Sequence, residues 1–275
     1  MIYWHRAIGW VIFLAAVCLC ACNGANHASA GHESTEANSA ATNNLRATVE
    51  TAGIGHTEIE VKFTKAPQPG PLYFRPHENE TTASEAAQQI LAQYGGTLVE
   101  LKSRGQRFIS FLIVDRLYTF DPNRIFSSDG IKRTLADNGK YEVEAEQAIA
   151  DFVNAFWTKH LADHHNLLIA LHNNTDGKPL TIQTYQDNPE AAAINLNPRF
   201  DEDDFFYVTS EAHFDFLKEK GFNVARQNNA TVVDDGSLSV FCGKRGIDYI
   251  NIECEQGHLK QQIEMLRAIQ ELLKQ

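Results

Sequence analysis

Positive charge is scarce in this chain of 275 residues. It carries 24 Lys and Arg residues against 35 Asp and Glu residues, which gives a formal net charge of −11 at pH 7. Nucleic acids and anionic membrane surfaces are bound by basic faces. The charge balance therefore argues against nucleic acid as a partner.

Two sequence signs of common hydrolases are absent. His160 and His164 lie one helical turn apart, but no Glu follows His160, so the His-Glu-x-x-His pattern of many metalloproteases is missing. Ser127 and Ser128 lie outside any Gly-x-Ser-x-Gly segment, which removes the strongest sign of a serine hydrolase. A hydrolytic function would need a different set of residues.

Cysteine is rare after residue 22, since only Cys242 and Cys254 occur there. In an oxidising compartment these two residues could form a disulfide, but their spacing does not establish the geometry that a disulfide needs. Two free, buried thiols are the alternative. Both alternatives stay open at this point.

The first 22 residues have the pattern of a secretory signal. Arg6 precedes an apolar run over residues 7–16, which is too short to favour a membrane-spanning helix. The segment Leu19-Cys20-Ala21-Cys22 resembles a bacterial lipobox, whose last Cys becomes the lipidated first residue of the mature protein. We expect Cys22 to anchor a periplasmic protein, in the outer membrane because Asn23 rather than Asp follows it. An ordinary cleaved signal or a retained anchor is the alternative.

The composition changes after the signal. From residue 23 to about residue 51 the chain is rich in Ala, Ser, Asn, Thr and Gly, with almost no large apolar side chains. Such a composition cannot bury enough surface to fold. We predict a tether over residues 23–55 and one domain over residues 56–275, which holds enough apolar residues for a single core.

Predicted strands and helices alternate along this domain. The predicted strands span residues 58–63, 71–75, 97–101, 108–114, 117–120, 167–171, 181–184, 205–208, 238–241 and 247–252. The predicted helices run from Thr81 or Thr82 to Tyr94 and over residues 143–161, 210–220 and 257–273. The fully apolar run over residues 167–171 is typical of a strand buried on both faces. The alternation predicts an α/β fold with a mixed central sheet flanked by helices.

Three residues beside predicted strands form a metal-ligand set. His77 and Glu80 form a His-x-x-Glu pair in the turn between a strand and a helix, and His172 ends the apolar strand. Two imidazoles and one carboxylate are the ligands of a catalytic zinc that keeps one position open for water. The pattern predicts one Zn²⁺ and a hydrolytic reaction, although such a site accepts other divalent ions.

The order of polar segments over residues 70–255 resembles the zinc carboxypeptidase clan, most of all its aspartoacylase and succinylglutamate desuccinylase branch. The matching positions are His77, Glu80, Arg116, the segment Asp121-Pro122-Asn123-Arg124-Ile125-Phe126, His172 and Glu253. The resemblance implies a zinc-carboxypeptidase-like fold of the phosphorylase/hydrolase type. The stretch from His172 to Glu253 is longer than in that branch and closer to the peptidases, which leaves the choice of substrate open.

The resemblance also implies a role for each remaining position. Glu253 would be the general base, with Glu255 as an alternative on the same side of the strand. Arg116 would support the substrate carbonyl oxygen, unless it is a surface charge. Asn123 and Arg124 would bind a substrate carboxylate, which matches the guanidinium fork, although Arg124 has a structural ion pair as its alternative.

Together these features predict a metallohydrolase of the carboxypeptidase or desuccinylase kind. Its substrate would be a small peptide or an N-acyl amino acid, cleaved at an amide bond next to a carboxylate-bearing residue. The alternative is a catalytically inactive periplasmic binding lipoprotein that holds a carboxylate ligand in the same pocket. A binding protein has no need of His77, Glu80, His172 and Glu253 together, which favours the enzyme.

Overall fold

A computed structural model describes residues 44–162, 167–175 and 180–275. The predicted signal, the lipidation candidate Cys22, the first part of the predicted tether and His164 lie outside these residues. The described strands are β1 (Arg46–Ile54), β2 (Thr57–Lys65), β3 (Leu72–Arg75), β4 (Thr97–Leu101), β5 (Ile109–Ile113), β6 (Arg116–Phe120), β7 (Leu167–Asn174), β8 (Ala191–Asn195), β9 (Phe205–Val208), β10 (Val224–Gln227) and β11 (Asp248–Glu255). The described α-helices are α1 (Thr81–Tyr94), α2 (Ser128–Asp137), α3 (Val143–Phe156), α4 (Glu211–Glu219), α5 (Leu238–Arg245) and α6 (Leu259–Leu272). A π-helical turn (Trp157–Leu161) continues α3.

Nine of these strands form one mixed sheet in the order β1-β2-β4-β3-β7-β11-β9-β10-β8, while β5 and β6 form a separate hairpin. The central strands β4, β3, β7 and β11 run parallel to one another. The outer pairs β1/β2, β2/β4, β11/β9 and β10/β8 are antiparallel. Since β7 is covered on both faces, its continuous apolar sequence is explained. The predicted α/β fold with a mixed central sheet flanked by helices is confirmed.

The two faces of the sheet build two cores. Tyr73 and Phe74 are neighbours in β3, and because side chains alternate along a strand they enter opposite cores. The Phe74 side packs against the β5–β6 hairpin, α2, α3 and α5. The Tyr73 side packs against α1, α4 and α6, and there the Tyr73 hydroxyl accepts a hydrogen bond from Gln270 Nε2 at 2.5 Å. Among the described residues, no helix combines the length and the apolar character needed to cross a membrane.

The end of the predicted tether belongs to the sheet. Residues 46–54 form β1, which pairs with β2 along its whole length. The side chains of β1 are mostly exposed, so its sequence needs no apolar alternation. The pairing comes from backbone hydrogen bonds, which composition does not reveal.

Two predicted strands are helical instead. Residues 238–241 begin α5, whose end carries Lys244 and Arg245 in the last turn and Gly246 in the left-handed conformation at φ 67°. Residues 181–184, also predicted as a strand, form the start of a short helix. There Thr181 Oγ1 accepts from Gln183 N and Thr184 Oγ1 accepts from Thr181 N, which begins a 3₁₀ helix over Ile182–Tyr185.

The two cysteines of the domain are free and buried. Cys242 of α5 belongs to the core on the Phe74 side of the sheet, whereas Cys254 of β11 belongs to the core on the Tyr73 side. The sheet therefore separates the two thiols. Of the two alternatives, free thiols are confirmed, and burial raises the pKa of Cys242 to about 12.

Candidate metal centre

The carboxyl ends of β3, β7 and β11 meet at one edge of the sheet because these three strands are adjacent and parallel. His77 follows β3, His172 lies on β7, and Glu253 lies on β11 in register with His172. The strand that follows β3 in the chain, β4, lies on one side of the β3/β7 pair, whereas β11 lies on the opposite side. In α/β sheets, a crevice that binds ligands opens at the point where connections turn to opposite sides.

The structure brings the three predicted ligands together at this edge. His77, Glu80 and His172 are 0%, 2% and 3% exposed. One ligand atom from each residue lies within 4.8 Å of the other two. His172 Nδ1 lies 3.1 Å from Glu80 Oε2, and the two imidazole ring centroids are 5.2 Å apart. Side chains separated by up to 95 positions in the sequence thus share one small volume.

The hydrogen bonding of the buried ligand atoms shows whether these residues fit a divalent ion. Within the described part of the chain, His172 Nε2 has no hydrogen-bond partner, while His77 Nε2 and Glu80 Oε2 have only the ion-pair contacts with Asp121 Oδ1 at 3.4 Å and His172 Nδ1 at 3.1 Å. Buried polar atoms are nearly always satisfied, and each exception needs an explanation. Imidazole nitrogens and a carboxylate oxygen are the usual ligands of zinc, so the three residues fit such an ion.

The electrostatics of His77 and Glu80 agree with this fit, whereas the raised pKa of His172 favours its protonated form when no metal ion is bound. Burial lowers the pKa of His77 to about 4, against the opposing charges of Glu80 and Asp121, so the imidazole is neutral near pH 7. Burial acts to raise the pKa of Glu80, but the charges of His172 and His77 outweigh it, and the pKa falls. Burial acts to lower the pKa of His172, but Glu80 outweighs it, and the pKa rises. A neutral imidazole and an ionised carboxylate are the forms that bind metals.

Glu253 is the carboxylate that the structure places beside this cluster. It is buried, and its Oε1 accepts a hydrogen bond from Asn251 Nδ2 at 2.9 Å. Burial raises the pKa of Glu253, with Glu80 adding to the rise and His172 opposing it. Glu255, the alternative, faces His258 instead, with Glu255 Oε2 at 3.2 Å from His258 Nε2.

Arg107 lies at the centre, although no motif in the sequence predicts a role for it. Its Nη1 donates to Glu80 Oε1 at 2.8 Å, and its carbonyl oxygen lies 3.0 Å from His77 Nδ1. Its Nη2 is 3.6 Å from Asp121 Oδ2. The only local signal for this residue is its position in a Gly105-containing turn between two strands, which many surface arginines share.

Glu78, the residue after His77, explains how Arg107 reaches the centre. Glu78 Oε2 accepts hydrogen bonds from the backbone N–H groups of Ser103 at 2.6 Å and Gly105 at 2.8 Å. Glu78 also forms an ion pair with Lys102. Glu78 therefore ties the loop before β5 to the loop that carries His77 and Glu80.

Arg116 lies elsewhere. It begins β6 in the β5–β6 hairpin, its side chain is 64% exposed, and its Nη1 donates to both carboxylate oxygens of Glu142 at 2.9 and 3.0 Å. Within the described residues its contacts are with this hairpin and the start of α3. The structure therefore does not bring Arg116 to the candidate centre, and the alternative of a surface charge describes it.

The Asp-Pro-Asn-Arg segment lies next to the centre. Asp121 Oδ1 is 3.4 Å from His77 Nε2. Asn123 Oδ1 accepts from the backbone N–H of Leu238 at 3.3 Å, at the start of α5. Arg124 is half-exposed, with Nε 3.5 Å from Asp235 Oδ2. Asp121, Arg124 and Asp235 line one cavity of about 260 Å³.

Comparison with known proteins gives no relative by sequence and weak likenesses by structure. No family model and no curated protein matches the chain. Murein-tripeptide amidase MpaA from Escherichia coli O157 shares 11% identity at a TM-score of 0.42, over 83% of this chain and 95% of its own. Thrombin activatable fibrinolysis inhibitor shares 11% identity at a TM-score of 0.41, over 85% of this chain and 70% of its own. The LapA aminopeptidase of Legionella pneumophila shares 8% identity at a TM-score of 0.37, over 81% of this chain and 51% of its own.

Likenesses this weak assign no activity to the chain. The class that the fold and the site define is an α/β protein that gathers, at one edge of its sheet, three residues able to hold a divalent ion. Any more specific function has to be inferred from the chemistry of the residues at that edge.

Proposed function

We propose that the chain is a zinc-dependent hydrolase. It cleaves an amide bond next to a carboxylate-bearing residue, in a small peptide or an N-acyl amino acid. One observation carries the proposal: His77, Glu80 and His172 bring buried ligand atoms within 4.8 Å of one another, directly beside Glu253, and among the described residues His172 Nε2 has no hydrogen-bond partner. This is the donor set of a catalytic zinc together with a carboxylate suited to proton transfer.

The proposed reaction divides the work between the ion and Glu253. Zinc held by His77, Glu80 and His172 would act as a Lewis acid and let water act as a nucleophile near neutral pH. As the water oxygen bonds to the carbonyl carbon, Glu253 takes a proton from the water. Glu253 then returns that proton to the amine nitrogen as the carbon–nitrogen bond breaks. Burial, which raises the pKa of this carboxyl group, suits it to both transfers.

Arg107 takes the role that the resemblance assigned to Arg116. The guanidinium of Arg107 contacts Glu80, so it can donate to a carbonyl oxygen placed at the centre. Donors that are already in place stabilise the negative charge that develops on this oxygen. The exposed Arg116, paired with Glu142, has no comparable position.

Arg124 and Asn123 bind the substrate carboxylate in this proposal. The amide oxygen of Asn123 is engaged by Leu238, which leaves the amide nitrogen as the donor. Arg124 lines the cavity beside Asp121, and its partner Asp235 is partly exposed. A substrate carboxylate would compete with Asp235 for the guanidinium fork, where two parallel hydrogen bonds can form.

Metal analysis and turnover test this proposal together. The purified protein is expected to hold one zinc ion per chain after dialysis, and Glu80→Ala is expected to lose it. Amine release from a panel of short peptides and N-acyl amino acids should be sensitive to a chelator. Zinc-independent binding of these compounds without turnover would instead support the binding lipoprotein.

A matched pair of variants tests the base. Glu253→Gln keeps the contact with Asn251, and it should retain zinc while turnover falls about 100- to 10,000-fold, as expected when a general base is removed. Glu255→Gln is the control and should retain turnover, because Glu255 faces His258. Loss of turnover in the control alone would move the role of base to Glu255.

We also propose that the protein is anchored by lipid at Cys22 and, because Asn23 follows this residue, faces the periplasm from the inner face of the outer membrane. The sequence of residues 19–22 supports this proposal. Replacing Cys22 with Ser is expected to move the protein from the membrane fraction to the soluble periplasmic fraction. A variant that stays with the membrane would contradict the lipid anchor.

A further inference from the structure

Arg75 is a buried charge directly behind the loop that carries the predicted ligands. It is the last residue of β3 and is 3% exposed. Its guanidinium nitrogens bond to the backbone of the loop and to Glu100, rather than to the ligand atoms of His77 or Glu80.

The guanidinium holds three carbonyl oxygens of this loop at once. Arg75 Nη1 donates to the carbonyl oxygens of His77 at 2.6 Å, Glu78 at 2.7 Å and Glu80 at 3.3 Å. Its Nε and Nη2 donate to Glu100 Oε1 at 2.9 and 2.5 Å. One planar group at the end of β3 therefore contacts the backbone of both predicted ligands, the backbone of Glu78, and the side chain of Glu100 on β4.

The chemistry of the loop explains why an arginine stands here. Residues 76–80 lie outside the strands and helices, and the turn they form supplies only local backbone donors, such as Glu80 N to His77 O at 3.3 Å and Thr81 N to Asn79 O at 3.0 Å. Buried backbone carbonyls need donors, and arginine supplies five in a rigid fork. The charge is compensated by Glu100, which is 1% exposed and also accepts from Ser84 Oγ at 2.8 Å. Lys62 Nζ lies 3.3 Å from the other carboxylate oxygen of Glu100.

We infer that Arg75 is a positioning residue for the metal centre: held by Glu100, it fixes the backbone of residues 77–80 so that His77 and Glu80 face the same ion. This inference rests on the proposed function for the identity of the ion. It adds that the metal affinity depends on a buried ion pair that touches neither the ion nor the substrate. Groups that orient metal ligands in this way typically contribute 10- to 100-fold in metal affinity.

A double variant tests the inference without leaving an unpaired buried charge. Arg75→Met combined with Glu100→Met removes both charges and keeps side chains of similar volume, a change that folded proteins often tolerate. We expect a folded protein by circular dichroism with about 10- to 100-fold weaker zinc binding in a competition assay. In the metal-free protein, amide hydrogens of residues 77–81 should exchange at least about tenfold faster than in the parent chain.

Arg75→Lys provides a second test, in case the double variant does not fold. Lysine keeps the positive charge beside Glu100 but cannot donate to three carbonyls and a carboxylate together. A positioning role therefore predicts that Arg75→Lys binds zinc more weakly than the parent chain, and that its amide hydrogens over residues 77–81 exchange faster. Lys62→Met is the matched control, because it removes the other cation beside Glu100 and leaves Arg75 in place. In this control both measurements should stay within about twofold of the parent.

The outcomes separate this inference from the proposed function. Parent-like zinc affinity and parent-like exchange in Arg75→Lys would overturn the role of Arg75. If the parent chain itself bound no zinc, the proposed function would fail. Exchange in the metal-free protein would then still decide whether Arg75 orders residues 77–80.

Discussion

Replacing Asn173 with Ala should uncouple the elements that carry the predicted ligands. Asn173 follows His172 on β7, and its amide makes three buried hydrogen bonds. Its Oδ1 accepts from the backbone N–H of Ala83 at 2.9 Å, in the first turn of α1. Its Nδ2 donates to the carbonyl oxygen of Cys254 at 3.1 Å and to Gln262 Oε1 at 2.9 Å. The amide thus joins β7 to α1, β11 and α6.

The expected loss of stability follows from these three hydrogen bonds. Each buried hydrogen bond contributes about 1 kcal/mol to the free energy of unfolding, so the loss is roughly 3 kcal/mol. For a domain of this size that corresponds to a fall in Tm of roughly 6 to 12 °C. Because α1 begins directly after Glu80, a looser junction between α1 and β7 should also weaken zinc binding.

Thermal unfolding of the metal-free protein, followed by circular dichroism, measures the first effect. Asn138→Ala is the matched control, because Asn138 Nδ2 donates to the carbonyl oxygen of Thr134 at 2.8 Å at the end of α2. Asn138 Nδ2 also lies 3.3 Å from Thr134 Oγ1, but both contacts are half-buried and join neighbours on one helix, so their loss should lower Tm by only roughly 2 to 4 °C. Equal losses for Asn173→Ala and Asn138→Ala would refute the coupling role of the Asn173 amide.

Two further predictions concern charged groups. Arg107→Met should lower turnover about 100- to 1000-fold, whereas Arg116→Met should leave it unchanged; equal effects in a kinetic assay would contradict the assignment. The pKa of His258 is raised, because Asp204 and Glu255 outweigh the effect of burial, which acts to lower it. Its contribution to stability is therefore complete below about pH 6.5 and is lost as the pH rises through its pKa in the folded protein. The difference in Tm between the parent and His258→Gln should shrink from about pH 6 to pH 8; a constant difference would count against this role.

Local patterns in the sequence were enough to predict that His77, Glu80 and His172 stand together at one edge of the sheet. The His-x-x-Glu pair lies in a turn between a strand and a helix, as predicted, and the apolar run of β7 ends at His172. These predictions depend on short-range preferences, such as the burial of an apolar strand and the helix stop at Gly95, whose φ is 88°. The mixed sheet followed in the same way from the alternation of strands and helices.

Other choices depended on neighbours far away in the sequence. The apolar run at residues 238–241 is compatible with a strand or a buried helix, and periodicity over so few residues does not separate them. Strand β1 shows no apolar alternation, because its side chains are mostly exposed and its place in the sheet comes from backbone pairing with β2. The sheet, by keeping Cys242 and Cys254 in different cores, decided that they are free thiols.

The sequence by itself determined that His77, His172 and Glu253 stand close to the carboxyl ends of predicted strands, although β7 and β11 each continue three residues beyond the end that periodicity predicts. Only the tertiary structure decided which arginine and which glutamate reach the centre. Arg107 arrives because Glu78 holds its loop, while Arg116 is drawn to Glu142. Glu253 rather than Glu255 lies opposite His172 through the register of β11 on β7. Which of these side chains reach the centre depends on how distant segments pack together, and the spacing of residues along the chain does not determine that packing.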